Sequence, residues 1–496
     1  MRVPHARFVL FWALAAVFPT ASAQADVFLW SFPIAADQVR NGPEPDGTTD
    51  SQATGRGSFR YDSLSQTLDY TISWNDLESN ITKLHVHGAI GAEASTPDHL
   101  LEVFNSQQDA IDAGAGLVTG TVSGSFSVAK LAGPCDPETP AVLPCLMENL
   151  AYVNVHTELL PVGEIRGNVI LLPPLIVWDV THSESQVRNG SEPDGSTDSI
   201  ATGRASFRYH VDSERMDYTI SWEDLEGDLT KLHIHGPAGP DVSNTNHLLE
   251  IFNAKQDVID AGAGLRTGFV SGSFDVGNAL PGCDAATPDT LACMLEDLAY
   301  VNVHTEMFPS GEIRGNTGRL AHPYAWEFPI SEDQIRNGPE VDGSSDSVGT
   351  GHGTLTYDAF TGRLDYALSW DALEGDLTKF HIHGPAAADE SNTNHLYEIF
   401  NSIQDVLDAG LDLRSDTAVG AFITAPDAVE CTDLDPLPCL FEELAYVNVH
   451  TEMFPSGEIR GNVKLVPEPV PSALGAVALL SVVGVARRVR RGRSLR

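Results

Sequence analysis

The sequence predicts an all-β protein of three tandem β-sandwich or barrel-like domains, each with a short helical insertion. An N-terminal signal peptide and a C-terminal transmembrane sorting helix frame them. Three observations predict the tandem β domains. Lys83-Leu84-His85-Val86-His87-Gly88 recurs as Lys231-Leu232-His233-Ile234-His235-Gly236 and as Lys379-Phe380-His381-Ile382-His383-Gly384, 148 residues apart at each step. Short runs of β-branched and aromatic residues, punctuated by Gly, Pro and Asp turns, fill each interval. One local cysteine pair falls in every copy.

The chain has 496 residues, enough for about three domains of ordinary size. Hydrophobic residues make up 42%, which allows sizeable cores. Acids number 69 against 29 bases, and the bases include Arg2, Arg7 and six arginines from Arg487 onward at the two ends. So acidic a body excludes nucleic-acid binding through phosphates. It suits solubility outside a cell, divalent cations or basic partners.

Arg2 and Arg7 precede an apolar run from Phe8 to Phe18, and Ala21-Ser22-Ala23 offers a cleavage site, so residues 1–25 read as a signal peptide. Cysteines support export. Cys135 with Cys145, Cys283 with Cys293 and Cys431 with Cys439 read as three short disulfides in an oxidising compartment, the rival being thiolate metal sites. At the other end Val466-Pro467-Glu468-Pro469 leads into an apolar run from Val470 to Ala486 and the cluster Arg487-Arg488-Val489-Arg490-Arg491. That run is just long enough to span a membrane, with the arginines on the cytoplasmic side. Residues 467–496 resemble the PEP-CTERM sorting signal of Gram-negative bacteria. The resemblance implies an exosortase-type processing enzyme that releases the protein to the cell surface or extracellular matrix. An ordinary single-span anchor is the alternative.

Between these ends the copies run from 26–172, 175–320 and 323–466. Trp30, Trp178 and Trp326 open them, each followed by Arg-Asn-Gly and an acidic turn-rich loop. In the second copy Ala205–Tyr209 and Met216–Trp222 predict a hairpin, with Trp222, like Trp74 and Trp370, in the core. The histidine strand follows. Next comes the stretch Asn246–Gly262, where Leu248, Leu249, Phe252 and Ile259 can share a helical face; it reads as a helix or an irregular loop. A further strand, the cysteine loop and a short helical turn at Met294–Asp297 lead to a closing hairpin, Ala299–His304 with Glu312–Asn316. Short proline-bearing linkers (Pro173-Pro174, His322-Pro323) predict semi-rigid spacing between units that each have their own core.

Twelve of the 17 histidines recur at four positions: His85, His87, His99 and His156; His233, His235, His247 and His304; His381, His383, His395 and His450. In the histidine strand apolar and imidazole residues alternate, so both imidazoles face one side of a half-buried strand, about 7 Å apart. Alternation also puts Tyr300, Asn302 and His304 on one face. If the two strands are neighbours, three imidazoles converge, and His247 closes the set from a loop. Three or four neutral imidazoles suit Zn²⁺ or Cu²⁺, one ion per domain, with Glu306 or Glu312 orienting a ligand from behind. The competing reading is a structural hydrogen-bond network. The acidic loops (Asp46, Asp50; Asp194, Asp198; Asp342, Asp346) lack the alternation of a Ca²⁺ loop. Glu312 and Arg314, two apart on a strand, read as an exposed ion pair.

His233-Ile234-His235-Gly236-Pro237-Ala238, Tyr300–Thr305 and Gly311-Glu312-Ile313-Arg314-Gly315-Asn316 resemble the CHRD domain, a module named from chordin and found in many microbial secreted proteins. The first copy departs at Gly88-Ala89-Ile90 and the third at Ala386-Ala387-Ala388, each change falling in the loop after the histidine strand. The resemblance implies an extracellular all-β module and no established reaction, so no catalytic residue follows from it. Two functions compete: a non-enzymatic surface or matrix protein whose modules bind extracellular polysaccharide or surface proteins, and a histidine-rich metalloprotein, redox-active or not.

Overall fold

The computed structural model describes residues 26–129, 134–138, 140–276, 283, 288–424, 431 and 436–466. The segments expected to be a signal peptide (1–25) and a sorting tail (467–496) lie outside them. Among the described residues no helix is long and apolar enough to cross a membrane.

In the first copy the elements are β1 (Val27–Ala35), β2 (Thr54–Asp62), β3 (Thr67–Asn75), β4 (Ile81–Gly88), β5 (His99–Phe104), α1 (Gln107–Asp112), β6 (Gly120–Ser127), α2 (Val142–Met147), β7 (Ala151–Thr157) and β8 (Ile165–Asn168). The other copies repeat this order. The strands form one antiparallel sheet, β5-β4-β7-β8-β1-β2-β3-β6. Its halves meet at one paired position, Ala35 with Arg166, and at an isolated bridge, Trp30 with Leu171. At that seam the sheet folds over on itself: Trp74 of β3 meets Phe104 of β5 edge-on at 6.4 Å, although the two strands sit near opposite ends of the strand order. The result is a half-barrel, or sandwich, with Trp30, Trp74, Leu84 and Val86 in its core. In the second copy the seam parts into two four-stranded sheets, leaving two isolated bridges, Ser183 to Arg314 and Trp178 to Arg319. His182 stands there beside two glycines, Gly203 and Gly315, where Ile34 and Ile330 stand in the other copies.

Both hairpins form as the sequence predicts, and so do the three disulfides, Cys135–Cys145, Cys283–Cys293 and Cys431–Cys439. The stretch after the histidine strand is a correction. It is neither one helix nor a loop but a strand, His247–Phe252, followed by a six-residue helix, Lys255–Asp260. The strand carries two bulges, so that His247 opposes His235, Leu249 opposes Ile234, Glu250 opposes His233 and Phe252 opposes Leu232. Each bulge adds one residue and moves the next side chain to the other face. Residues three apart thus share a face, and a bulged strand mimics the helical period. The helix before the closing hairpin also begins earlier than predicted, at Thr290, where the Asp289 side chain accepts from Ala292 N–H at 2.9 Å.

The loop after the histidine strand differs in the first copy, where Ala89 takes a φ of 61°, whereas Gly236–Pro237 and Gly384–Pro385 are both cis. The cores are not wholly private to each unit. Val27 and Leu29 pack into the second copy's core, and Leu175 and Val177 into the third's.

Candidate metal centre

The four recurrent histidines of each copy cluster around the histidine strand. β4 pairs with β7 so that His85 lies opposite Asn154, His87 opposite Tyr152 and Lys83 opposite His156. On the other side of β4 the bulged β5 sets His99 against His87 and Glu102 against His85. In the first copy ring centroids are 3.8 Å apart for His85 and His99, 4.8 Å for His87 and His99, 5.3 Å for His85 and His156 and 5.7 Å for His85 and His87. The second copy repeats them, with His233 and His304 at 5.3 Å, and so does the third, with His381 and His450 at 5.4 Å. Donor atoms of His85, His87 and His99, of His233, His235 and His247, and of His381, His383 and His450 lie within 4.8 Å of one another. His247 reaches the set from a strand and not from a loop. The histidine strand is also more deeply placed than a half-buried strand: His85 is 1% exposed and His87 3%.

The outer nitrogens are spoken for. His85 donates Nε2–H to Asn105 Oδ1 at 2.8 Å, His99 donates Nδ1–H to Glu102 Oε1 at 3.0 Å, and His156 donates Nδ1–H to the Pro161 carbonyl at 3.0 Å. Each acceptor fixes a tautomer and leaves a lone pair on the other nitrogen, the arrangement by which outer groups orient metal ligands. Asn105 is itself held. Its Nδ2 donates to Glu102 Oε2 at 2.7 Å, and its backbone N–H is bound by Asp109 at the start of α1. A chain of bonds thus links His85 through Asn105 and Glu102 to His99. The second and third copies carry it as His233–Asn253–Glu250–His247 and His381–Asn401–Glu398–His395.

The inner nitrogens have no hydrogen bond of ordinary geometry. His85 Nδ1, both nitrogens of His87 and His156 Nε2 are buried without a hydrogen bond, and the same four atoms recur in the other copies. An unmatched buried polar atom costs about 1–3 kcal/mol. A purely structural network would pair these atoms. Burial, with the neighbouring imidazoles adding to it, pushes His87 down to about 3. His156 falls to about 4 through burial, opposed by its bond to Pro161. These two rings are therefore neutral at pH 7, the form that binds metal.

A second stack supports the first. The His87 ring lies against Tyr152 at 4.9 Å, and the Arg166 guanidinium sits 3.7 Å from the same ring's centroid. Because β4 and β8 flank β7, the two groups approach Tyr152 from opposite sides. Arg166 also donates to the carbonyls of Ala92 and Ala94, tying down the loop that leads to His99. The exposed ion pair predicted for Glu312 and Arg314 is therefore wrong, since both residues are buried. Arg314 lies over Tyr300 at 3.6 Å. Glu312 accepts from Ser199, Thr305 and the Glu226 N–H, far from any imidazole role. Glu306 pairs with Lys255 instead. The carboxylate behind the histidines is Glu250, with Asn253 beside it, and the sequence reading missed both. Their signal was present: Glu-x-Phe-Asn recurs as Glu102–Asn105, Glu250–Asn253 and Glu398–Asn401. In the acidic loops, Asp46 uses a carboxylate oxygen on Thr48, two residues ahead.

The CHRD domain family matches residues 33–169, 182–317 and 334–463, one match per copy. Chordin of Danio rerio is 28% identical over 234 residues, which cover 45% of this chain and 22% of chordin. Among solved structures, a mutant of the vaccine antigen transferrin-binding protein B from Haemophilus parasuis Hp5 aligns over 90% of this chain and 77% of its own, at 7% identity and a TM-score of 0.10. Intact Ap-TbpB aligns at 6% identity with a TM-score of 0.10, over 90% and 78%. Scores this low bear on nothing in the fold.

Proposed function

The chain belongs to the CHRD family, and from that premise we propose that it is an extracellular metal-binding protein in which each copy holds one Zn²⁺ or Cu²⁺ ion through four imidazoles. The observation that carries this reading is the division of ring nitrogens: outer ones of His85, His99 and His156 bonded to fixed acceptors, inner ones of His85, His87 and His156 buried without partners. His85 would bind through Nδ1, and His99 and His156 through Nε2, since their other nitrogens hold protons. Neutral imidazoles favour borderline ions such as Zn²⁺ and Cu²⁺ over the oxygen-seeking Ca²⁺ and Mg²⁺. The ion would give bonds to the lone pairs left buried without partners on His85, His87 and His156, so binding and domain stability are linked.

The three disulfides and the signal-like N-terminus support export, and the tail supports display at the cell surface or in its polysaccharide matrix after exosortase-type processing. On this reading the copies bind and space; they do not catalyse. The test is thermal unfolding of chelator-stripped protein with and without added Zn²⁺ or Cu²⁺. A ligand at 100 times its Kd stabilises by about 2.7 kcal/mol. A transition that rises with either ion, and not with Ca²⁺, supports the proposal. A transition indifferent to all three removes it.

A further inference from the structure

The copies touch through one surface used twice. The outer face of the β1–β2 half-sheet of each copy packs on the α2 end of the next. At the first junction Val27 and Leu29 enter the second copy's core, Arg60 Nε bonds Glu214 at 3.0 Å, and Arg56 bonds the Leu295 carbonyl at 3.3 Å with Asp297 at 3.9 Å. At the second, Leu175 and Val177 enter the third copy's core, Arg208 pairs with Glu442 at 2.8 Å, and Arg204 pairs with Glu443 at 2.6 Å. Arginine from the earlier copy meets acid from the later one at both.

The outermost faces break that rule. In the third copy, Arg56 and Arg204 are replaced by His352, Arg60 and Arg208 by Thr356, and Leu29 and Val177 by Ala325. The corresponding strand, Tyr324–Ser331, accordingly alternates buried and exposed positions, whereas β1 is buried on both faces over Leu29–Phe32. His352 turns instead to Glu327 of its own copy at 3.1 Å. At the opposite end, the first copy has exposed Gln66 where Glu214 stands and exposed Asn149 where Asp297 and Glu443 stand, while Glu148 keeps the acid of Glu442. Asn149 still bonds the Leu171 N–H at 2.7 Å, the service Glu443 performs for Leu465, so only the charge toward a neighbour is missing.

We propose that the three copies form a head-to-tail array capped at both ends: each internal junction has complementary charge and apolar bulk, the third copy's free face has lost both arginines and the apolar side chain, and the first copy's free face has lost two of its three acids. A heterologous interface of this kind propagates without limit unless its end faces are altered. The partner this surface fits is the next copy of the same chain. Capping confines it there and keeps the array at three units.

The experiment restores the lost groups in the full chain. The variant Ala325→Val, His352→Arg, Thr356→Arg, Gln66→Glu, Asn149→Asp is compared with wild type by sedimentation velocity at equal concentrations. The wild type is expected to sediment as a monomer, and the variant to form concentration-dependent, salt-sensitive oligomers. A variant with wild-type circular dichroism that stays monomeric overturns the proposal, as does a wild type that already forms chains. The junction itself is read by Arg208→Glu, expected to lower the unfolding midpoint, and by its rescue with Glu442→Arg. A double variant no more stable than the single one also counts against the proposal.

Discussion

His85 gives its Nε2 proton to Asn105 at 2.8 Å, and that one bond decides which way the imidazole can act. The ring is left with a lone pair on Nδ1, on the side where the other three imidazoles stand. Asn105→Leu should free the ring without emptying the core. Metal affinity of that copy is expected to fall about 10–100-fold, the usual effect of losing an outer hydrogen bond. Titration calorimetry reads the affinity. Nitrogen NMR of the metal-free protein reads the tautomer, which should become mixed at His85. An unchanged tautomer would show that Asn105 does not set it.

Glu312 supports the fold and makes no bond to the histidines. It is wholly buried and gathers Ser199, Thr305 and the backbone of the Glu226 turn. Glu312→Leu strands these donors and is expected to cost about 3 kcal/mol, since each orphaned partner costs about 1–3 kcal/mol. Urea unfolding measures the loss, and metal stoichiometry should stay at its wild-type value.

His182 makes the second copy acid-sensitive. Burial, opposed by the Ser221 backbone, holds its imidazole at about 4 against an ordinary 6.5. Between those values the unfolded chain binds a proton the folded copy refuses, so stability is complete above pH 6.5 and is lost as pH falls toward 4. His182→Ile, the residue type at positions 34 and 330, should remove that slope. At about 1.4 kcal/mol per pH unit the gain is at most about 3 kcal/mol, fully developed below pH 4. Unfolding free energies of both proteins across this window check it, and parallel curves would refute the assignment.

How much of this was readable follows from particular residues. The four histidines stood out because triplication repeats them at fixed intervals, and the alternation around Leu232 and Ile234 gave their common face. The strand His247–Phe252 was not readable, because two bulges convert its period of two into one of three. Arg314 was misplaced because a charged residue on a strand is ordinarily solvated; here a tyrosine ring and loop carbonyls replace the water. The junctions left a faint trace in the doubly apolar run Val27-Phe28-Leu29-Trp30, a pattern that a strand buried on both faces requires.

The central claim is that inner nitrogens of four imidazoles bind one ion in each copy. Metal analysis of the stripped full chain, reloaded with Zn²⁺ or Cu²⁺ and freed of excess, tests it most directly. The account predicts three ions per wild-type chain, and two after His233→Ala with His235→Ala. Fewer than one ion per chain, or a wild-type count in the double variant, would contradict it.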